Sequence, residues 1–457
     1  MEKFDVVVIG AGPGGVEAAI QSDSAGFRTA LIEKEELGGV CLNWGCIPTK
    51  ALLASSKLFS QIKHADQYGI SNVREASFDI QKAFSEKDRI VSMLKKGIEW
   101  QLGRTKVTRF KGEAKLADHT HIEIHSNKNT ETVEAKQIIL ATGSKPKAFP
   151  GFPFDGKNIL SSTDLLALPE IPKSLVIVGA GAVGVEFASF YHAFGAQVTI
   201  LEALPRLLPL EDEEIGKRLE MIYKKRGIQV QTASHVIKIQ PETGTMRVLL
   251  DGGNVAHGDK VLIAIGRERN FKNMGLEAIG LKFNGTAIET NDYLETSVSN
   301  IFAIGDLIAA PQLAHAAIYE ARLVISNLKA SSKQKIRYDI IPNVTFSDPP
   351  VASVGISKTK ARQLGHDVLE TKVLASTNGK AWVERETEGF AKLMINPKSK
   401  YILGASIIGL EAPELIGVIS LAILKGFKVN DLAEIIFPHP TASEILGDLA
   451  REALKSR

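Results

Sequence analysis

Two cysteines, Cys41 and Cys46, are the only cysteines in this chain of 457 residues, and they lie five positions apart. A secreted protein that depends on disulfides would carry more cysteines, spread along the chain. A structural zinc site usually needs four ligands, and no second Cys or His cluster stands near this pair. The spacing therefore favours a redox pair that alternates between dithiol and disulfide.

The residues around the pair must bring the two sulfurs together. In a regular helix, residues five apart are badly angled for a disulfide, which needs Cα atoms within about 7 Å. Gly45 and Pro48 predict a distorted first turn, followed by a regular helix that runs through Lys50 to Phe59. Because a helix N-terminus lowers the pKa of a thiol, we expect this turn to favour the thiolate.

Two glycine-rich turns occur in the same local setting. Gly10–Gly15 follows an apolar run at 4–9, precedes a helix-like stretch at 16–27, and leads to a strand at 29–32. The second copy has a strand at 174–178, a turn at 179–184, a helix at 185–194 and a strand at 197–201. In each copy an acid, Glu33 or Glu202, follows the first glycine by 23 residues.

This arrangement is typical of a dinucleotide site. The first glycine makes the turn, the second lets the backbone approach a pyrophosphate, and the third lets the helix pack on the strand. The helix N-terminus attracts the phosphates, and the acid accepts hydrogen bonds from a ribose hydroxyl. An acid at Glu202 favours NAD over NADP, since it repels a 2′-phosphate, although Arg206 lies near enough to weaken that repulsion.

Bulk properties limit the other possibilities. The length predicts two to four domains. A net charge of +3, with both signs dispersed, predicts no nucleic-acid partner and no membrane anchor. The apolar segment 401–424 is interrupted by Glu411, Pro413 and Glu414, which predicts a strand followed by a buried helix. The opening leads directly into a strand, so we expect no export signal and a cytoplasmic location.

The segment 38–50, GGVCLNWGCIPTK, closely resembles the redox motif of the pyridine nucleotide–disulfide oxidoreductases. Residues 141–143, 301–306 and 439–444 resemble further motifs of that family, so the likeness extends over essentially the whole chain. The resemblance implies an α/β fold with two doubly wound Rossmann-like nucleotide-binding domains and a C-terminal α+β dimerisation domain. The implied limits are 1–148 and 269–335 for the FAD-binding domain, 149–268 for the NAD-binding domain and 336–457 for the interface domain.

The resemblance also assigns roles to the redox residues. It implies that Cys41 exchanges with substrate and that Cys46 lies against the flavin ring. It further implies that Lys50 pairs with Glu186 beside the reactive flavin nitrogen.

His439 is the candidate base. Glu444 follows it closely enough to orient the imidazole and to stabilise its protonated form. In the family this histidine acts in the site of the partner subunit, so the resemblance implies a homodimer.

Cofactor contacts carried over by resemblance form two sets. Asp306 is expected at the ribityl chain, and Arg267 lies in a turn that abuts the flavin in the family. The FAD set is Gly10, Gly12, Gly15, Glu33, Lys34, Gly38, Gly39, Lys50, Gly112, Thr142, Gly143, Asp306, Ala314 and His315. The NAD set is Gly179, Gly181, Gly184, Glu186, Glu202, Val236 and Gly266.

Within the family, the motifs are most similar to members that oxidise a protein-bound dihydrolipoyl group with NAD. That implies a partner, the lipoyl domain of a 2-oxoacid dehydrogenase complex or a similar lipoyl protein. Family members with a further C-terminal cysteine pair are excluded, because no cysteine follows Cys46. Two alternatives stay open, a reductase of another small disulfide such as glutathione disulfide, and a structural subunit of a large dehydrogenase assembly. The sequence departs from the lipoyl subgroup near His315, at Arg269 and at Pro350.

Two polar patterns are interpreted without a ligand. The histidines of 119–125 alternate with Ile122 and Ile124, which predicts the wet side of a half-buried strand and no metal site. The acidic run 211–214 is interpreted as a helix start that the helix dipole favours.

Overall fold

The structure is a computed structural model that describes residues 1–73, 75–127, 129–365 and 367–455. The α-helices are α1 (Pro13–Ser24), α2 (Gly39–Trp44), α3 (Cys46–Lys63), α4 (Ile80–Gly103), α5 (Ser162–Leu165), α6 (Ala182–Ala193), α7 (Glu213–Arg226), α8 (Ala314–Lys329), α9 (Lys358–Gln363), α10 (Gly379–Val383), α11 (Ala412–Lys425), α12 (Val429–Ala433) and α13 (Glu444–Lys455).

The strands follow the same chain order. They are β1 (Glu2–Ile9), β2 (Thr29–Glu33), β3 (Thr108–Lys111), β4 (Glu113–Leu116), β5 (His121–His125), β6 (Thr130–Leu140), β7 (Ser144–Pro146), β8 (Ile159–Leu160), β9 (Ser174–Val178), β10 (Gln197–Leu201), β11 (Gln229–Gln231), β12 (Val236–Glu242), β13 (Thr245–Leu250), β14 (Val255–Gly258), β15 (Lys260–Ile263), β16 (Arg267–Arg269), β17 (Phe283–Asn284), β18 (Ala287–Ile288), β19 (Ile301–Ala303), β20 (Asn343–Thr345), β21 (Val351–Gly355), β22 (Leu369–Leu374), β23 (Phe390–Ile395) and β24 (Ile402–Ile408).

The chain forms two compact units. The first contains 1–51, 82–147 and 267–336, and the second contains 52–81, 148–266 and 337–457. The domain limits inferred from the sequence stay a prediction.

The first unit is built on a mixed sheet with strand order β3-β2-β1-β6-β5-β4, and β19 also pairs with β6. The strands β1, β2, β3, β6 and β19 pair in parallel, while β4, β5 and β6 pair antiparallel. Val6, Val7 and Val8 are fully buried, as a central parallel strand requires. Helix α1 begins earlier than predicted, at Pro13, because the fixed φ of proline suits a first helical turn.

The described residues of the second unit include three sheets. One is parallel, with order β11-β10-β9-β15-β8, and one is a small antiparallel sheet, β12-β13-β14. The third is antiparallel, with order β20-β21-β24-β23-β22, and its core includes buried side chains of α11 and α13. The predicted α/β fold class is confirmed.

Two local interpretations are also confirmed. The segment 401–424 forms strand β24 and then helix α11, whose inner face is buried. Of the helices in the described ranges, none combines the length and the apolar character that crossing a bilayer requires. In β5, Ile122 and Ile124 are buried while His121, Glu123 and His125 face the other side.

The interpretation of the acidic run 211–214 was incomplete. Asp212 does cap α7, since its carboxylate accepts a hydrogen bond from the Glu214 amide. However, Lys392 of β23 places its Nζ 2.9 Å from Asp212 Oδ1 and 2.8 Å from Glu214 Oε2. Glu370 Oε2 lies 3.4 Å from the same ammonium, whose side chain is only 5% exposed. Burial acts to lower the pKa of Lys392, but hydrogen bonds to Glu214 and Asp212 raise it further than burial lowers it.

Replacing Lys392 by methionine is expected to lower the free energy of unfolding by about 3–5 kcal/mol, because the buried Asp212 carboxylate would lose its counter-charge, whereas Glu214 and Glu370 keep Lys372 and Lys358. Denaturant unfolding measures the change. The matched control is Lys217→Met on α7, which removes an exposed pair with Glu213 worth roughly 0.5 kcal/mol. Equal losses in the two variants would contradict a structural role for the buried lysine.

Candidate functional site: a dithiol beside a glycine turn

The two cysteines lie on either side of a helix break at Gly45. Cys41 is in α2, Cys46 is the first residue of α3, and Gly45 between them has φ −145° and ψ −113°. A Cβ at Gly45 would come within 2.9 Å of the Val40 carbonyl oxygen, so only glycine fits there. The break lets the two thiols form a hydrogen bond with each other. The predicted distortion is therefore present.

The predicted lowering of the thiol pKa is wrong for Cys41. Its pKa is raised, first because the thiol is hydrogen-bonded to Cys46 and second because it is partly buried. The nearby charge of Lys50 acts in the opposite direction but does not prevail. Cys41 is the third residue of α2, so at this thiol the contact with Cys46 and burial outweigh the helix N-terminus. Because two sulfurs in contact do not readily both ionise, the reduced pair carries at most one negative charge.

Helix α2, which carries Cys41, begins beside the first glycine turn. The Gly38 amide donates to the Ala11 carbonyl oxygen at 2.8 Å, and Gly38 itself is left-handed with φ +88°. A Cβ at Gly39 would lie 2.8 Å from the Cα of Gly12. These two glycines thus allow the backbone of the redox motif to contact the backbone of the glycine turn.

The first glycine turn has the geometry of a dinucleotide site. Gly10 has φ +104°, and a Cβ there would lie within 3.0 Å of backbone atoms of Ala141. A Cβ at Gly15 would overlap the Gly10 carbonyl oxygen. Glu33, at the end of β2, accepts a hydrogen bond from the Ala11 amide at 2.6 Å. The Glu33 carboxylate is therefore hydrogen-bonded to the glycine turn of the same dinucleotide motif.

The second turn repeats this geometry. Gly179 also has φ +104°, and a Cβ at Gly184 would overlap the Gly179 carbonyl oxygen. Glu202 accepts hydrogen bonds from the Ala180 amide at 2.6 Å and from the Leu204 amide at 2.8 Å.

Both turns fit a pyrophosphate. Helix α1 has Gly12 as its N-cap and α6 has Gly181, and a glycine has no side chain that could accept a hydrogen bond from the first helix amides. A Cβ at either glycine would meet no described atom within 4 Å. The N-terminal amides of each helix therefore face open space, as an anion-binding turn requires.

Arg206, considered above as a residue that could weaken the repulsion by Glu202, bonds to a nearby backbone carbonyl. Its Nη2 donates to the Pro209 carbonyl oxygen at 3.0 Å, and its aliphatic part packs against Gly216. Glu202, only 7% exposed, directly follows β10. This geometry supports the preference for NAD that the sequence predicts.

The other predicted flavin residues lie on several elements of the first unit. The Gly112 amide donates to the Glu33 carbonyl oxygen, and Lys34 Nζ lies 3.9 Å from Glu113. Thr142 and Gly143 follow β6 and are bonded to Asn270, whereas Ala314 and His315 open α8. Asp306 follows β19 in a short 3₁₀ turn and contacts Ser144, a residue that sequence reasoning did not single out. The only feature of the sequence that could have pointed to Ser144 is its position directly after Gly143.

The remaining predicted NAD residues lie in the second unit. Val236 begins β12, and Gly266, with φ +115°, follows β15. Glu186 of α6 is buried, and its Oε1 accepts a hydrogen bond from the Phe346 amide at 2.9 Å. Its pairing with Lys50 stays a prediction.

His439 and Glu444 form a hydrogen-bonded pair. Nδ1 of His439 lies 2.9 Å from Glu444 Oε1, and the Thr441 amide donates to the other carboxylate oxygen. These two hydrogen bonds lower the pKa of Glu444, and the bond from Thr441 has the larger effect. The carboxylate therefore stays ionised beside the imidazole ring. Because Nδ1 is bound, Nε2 is the nitrogen available to a substrate, and the side chain is 79% exposed.

Comparison with known proteins supplies the family. The family model "Pyridine nucleotide-disulphide oxidoreductase" matches residues 4–321, and the dimerisation domain of the same family matches residues 341–450. This chain belongs to the pyridine nucleotide-disulphide oxidoreductase family. Members of the family use FAD and NAD, and the chain is accordingly an oxidoreductase that acts on sulfur groups.

Individual family members are similar over nearly their full length. The dihydrolipoyl dehydrogenase of Chlamydia muridarum is 40% identical over 452 residues, which cover 98% of this chain and 96% of the relative. That of Geobacillus stearothermophilus is 38% identical, covering 99% and 96%. Among solved structures, the Cu(II) complex of the HOCl-induced flavoprotein disulfide reductase RclA from Escherichia coli is 29% identical with a TM-score of 0.88, covering 99% of this chain and 100% of RclA. LpdA from Mycobacterium tuberculosis, at 24% identity and 99% coverage of both chains, has the same fold with a TM-score of 0.92.

Proposed function

We propose that this protein oxidises a protein-bound dihydrolipoyl group to the lipoyl disulfide and reduces NAD, the activity named for its bacterial relatives. The observation that carries the proposal is the contact between the Cys41 and Cys46 thiols at the helix break beside the first glycine turn. A pair so placed can store the two electrons of a dithiol as it changes from disulfide to dithiol.

In this proposal the two glycine turns bind different nucleotides. The turn at Gly10 and Glu33 lies against the redox motif, so it holds FAD, and the turn at Gly179 and Glu202 holds NAD. The domain limits given by the sequence belong to the same proposal. FAD bound at the first turn would supply the two-electron chemistry that connects the dithiol with NAD.

The protein's own sulfurs carry out the exchange. A substrate thiolate attacks Cys41 Sγ, the Cys41–Cys46 bond breaks, and Cys46 leaves as a thiolate. The second substrate sulfur, as a thiolate, then attacks the substrate sulfur of the mixed disulfide; the bond to Cys41 Sγ breaks, and the cyclic lipoyl disulfide is released with Cys41 as a thiolate. The substrate loses two electrons, and the protein disulfide gains them.

His439 moves the protons in this scheme. Nε2 takes a proton from the attacking substrate thiol, and the ionised Glu444 stabilises the resulting imidazolium through Nδ1. In the proposed homodimer this pair serves the dithiol of the partner subunit. The matched dimerisation domain supports a homodimer.

The proposed protein partner is a lipoyl domain of a 2-oxoacid dehydrogenase complex or a similar lipoyl protein. Its lipoyl group would carry the dithiol to Cys41. We also propose a cytoplasmic location, because cysteines that must return to the dithiol state suit a reducing compartment.

Turnover with a panel of substrates tests the proposal. We expect oxidation of dihydrolipoamide with NAD to be at least about 100-fold more efficient than reduction of glutathione disulfide or other small disulfides. NADP should be used at least about 100-fold less efficiently than NAD, because a phosphate ~5 Å from the Glu202 carboxylate costs about 3 kcal/mol at an effective dielectric of ~20. A preference for glutathione disulfide would replace the lipoyl assignment, and equal use of NADP would refute the role of Glu202.

A further inference from the structure

Asp306 belongs to a partly buried polar network inside the first unit. Ser144, at the start of β7, is only 1% exposed, and its hydroxyl bonds to Asp306 Oδ2. Arg267, at the start of β16, places Nε 2.6 Å from Ser144 Oγ and Nη2 2.8 Å from the Ser144 carbonyl oxygen. The same Nε lies 3.5 Å from Asp306 Oδ2. Residues 162 positions apart in sequence are thereby joined by a single hydroxyl.

The direction of each hydrogen bond in this network is fixed. Arginine can only donate, so Ser144 Oγ must accept from Arg267. The one hydroxyl hydrogen of Ser144 therefore goes to Asp306 Oδ2. The guanidinium also supplies a positive charge next to the carboxylate. The network thus occupies one carboxylate oxygen and leaves Oδ1 in a fixed direction.

The backbone beside Asp306 is anchored separately. The Gly305 amide donates to Glu320 Oε2 at 2.6 Å, and Glu320 of α8 is fully buried. Gly305 is left-handed, with φ +67°. Asp306 is therefore constrained both through its side chain and through the residue that precedes it.

We propose that Ser144 and Arg267 are positioning residues that aim Asp306 Oδ1 at the ribityl chain of FAD. The inference rests on the proposed flavin role of Asp306 and adds the residues that give this carboxylate its direction. Arg267 acts through the Ser144 hydroxyl, so both side chains are needed for tight binding of FAD. Neither is needed for a nucleotide that lacks the ribityl chain.

Binding to flavin-free protein tests this inference with two probes, FAD and ADP, by isothermal titration calorimetry. ADP can occupy either glycine turn and has no ribityl chain, so its binding reports on the turns without the Asp306 carboxylate. In Ser144→Ala and Arg267→Met, we expect the Kd of FAD to rise about 10-fold or more, since each removes a hydrogen bond of a charged group. The Kd of ADP should change less than about 2-fold. Arg267→Lys, which keeps the charge and a donor, should recover most of the FAD affinity.

Arg269→Met is the matched control, because Arg269 lies on the same strand but bonds to Thr286 and to the Ile308 carbonyl. It should leave the Kd of FAD within about 2-fold of wild type. Equal weakening of FAD and ADP would show a general structural role and overturn the inference. Weakening in Asp306→Asn but not in Ser144→Ala or Arg267→Met would overturn the positioning role. Unchanged FAD binding in Asp306→Asn would overturn the proposed flavin role of Asp306, on which the inference rests. If the FAD data are as expected but the protein does not oxidise dihydrolipoamide, only the proposed substrate is wrong.

Discussion

Replacing Cys41 by serine is expected to lower the rate of dihydrolipoamide oxidation by about 10⁴-fold or more. Serine keeps the size of the side chain but has no sulfur to form a disulfide, and losses of this order follow removal of a covalent nucleophile. Cys46→Ser should cause a loss of the same order, because the two sulfurs work as one disulfide and such effects are not additive. Steady-state turnover with dihydrolipoamide and NAD measures both.

The same variants provide an internal control. Reduction of an artificial dye by NADH needs the nucleotide sites but no dithiol, so Cys41→Ser should retain it within about threefold. Loss of dye reduction would indicate damage to the nucleotide sites. Normal oxidation of dihydrolipoamide by Cys41→Ser would remove the basis of the proposed function.

Replacing His439 by glutamine is expected to lower dihydrolipoamide oxidation by about 10²–10⁴-fold, the contribution typical of a positioned general base. Glutamine keeps the polarity of the position but cannot accept a proton at neutral pH. His257→Gln is a matched control, because the exposed His257 side chain on β14 also pairs with an acid, Glu242, at 2.9 Å. Its activity should stay within about twofold of wild type.

A mixed dimer decides whether His439 acts in its own subunit or in the partner's. Neither Cys41→Ser nor His439→Gln is active alone, but a dimer with one chain of each would contain one intact site if the histidine acts across the interface. Purified mixed dimers should then show about half of the wild-type activity. Activity no higher than that of the parent variants would contradict action across subunits. The general-base role of His439 would then be judged from the His439→Gln variant alone.

Much of the candidate site could be predicted from the sequence because its signals are local. A glycine turn, the strand before it, the helix after it and the acid at Glu202 lie within a few tens of residues of each other, and the structure has them in the predicted order. The break at Gly45 and the bond between His439 and Glu444 are likewise set by neighbouring residues. Steric limits on φ and the geometry of a helix depend on residues that are close together in the sequence. The residue types alone are therefore enough to predict these local features.

Only the tertiary structure decided which distant residues meet. The acidic run at α7 is a normal helix start by sequence, and folding brings Lys392 to it from 180 positions away. Ser144 has no distinctive pattern until the sheet brings Asp306 against its hydroxyl. The burial that helps to raise the pKa of Cys41 is likewise a property of the folded chain. Hydrogen bonds and charge interactions depend on distances of a few ångströms, and between residues far apart in the chain those distances exist only after the strands have paired and the core has packed.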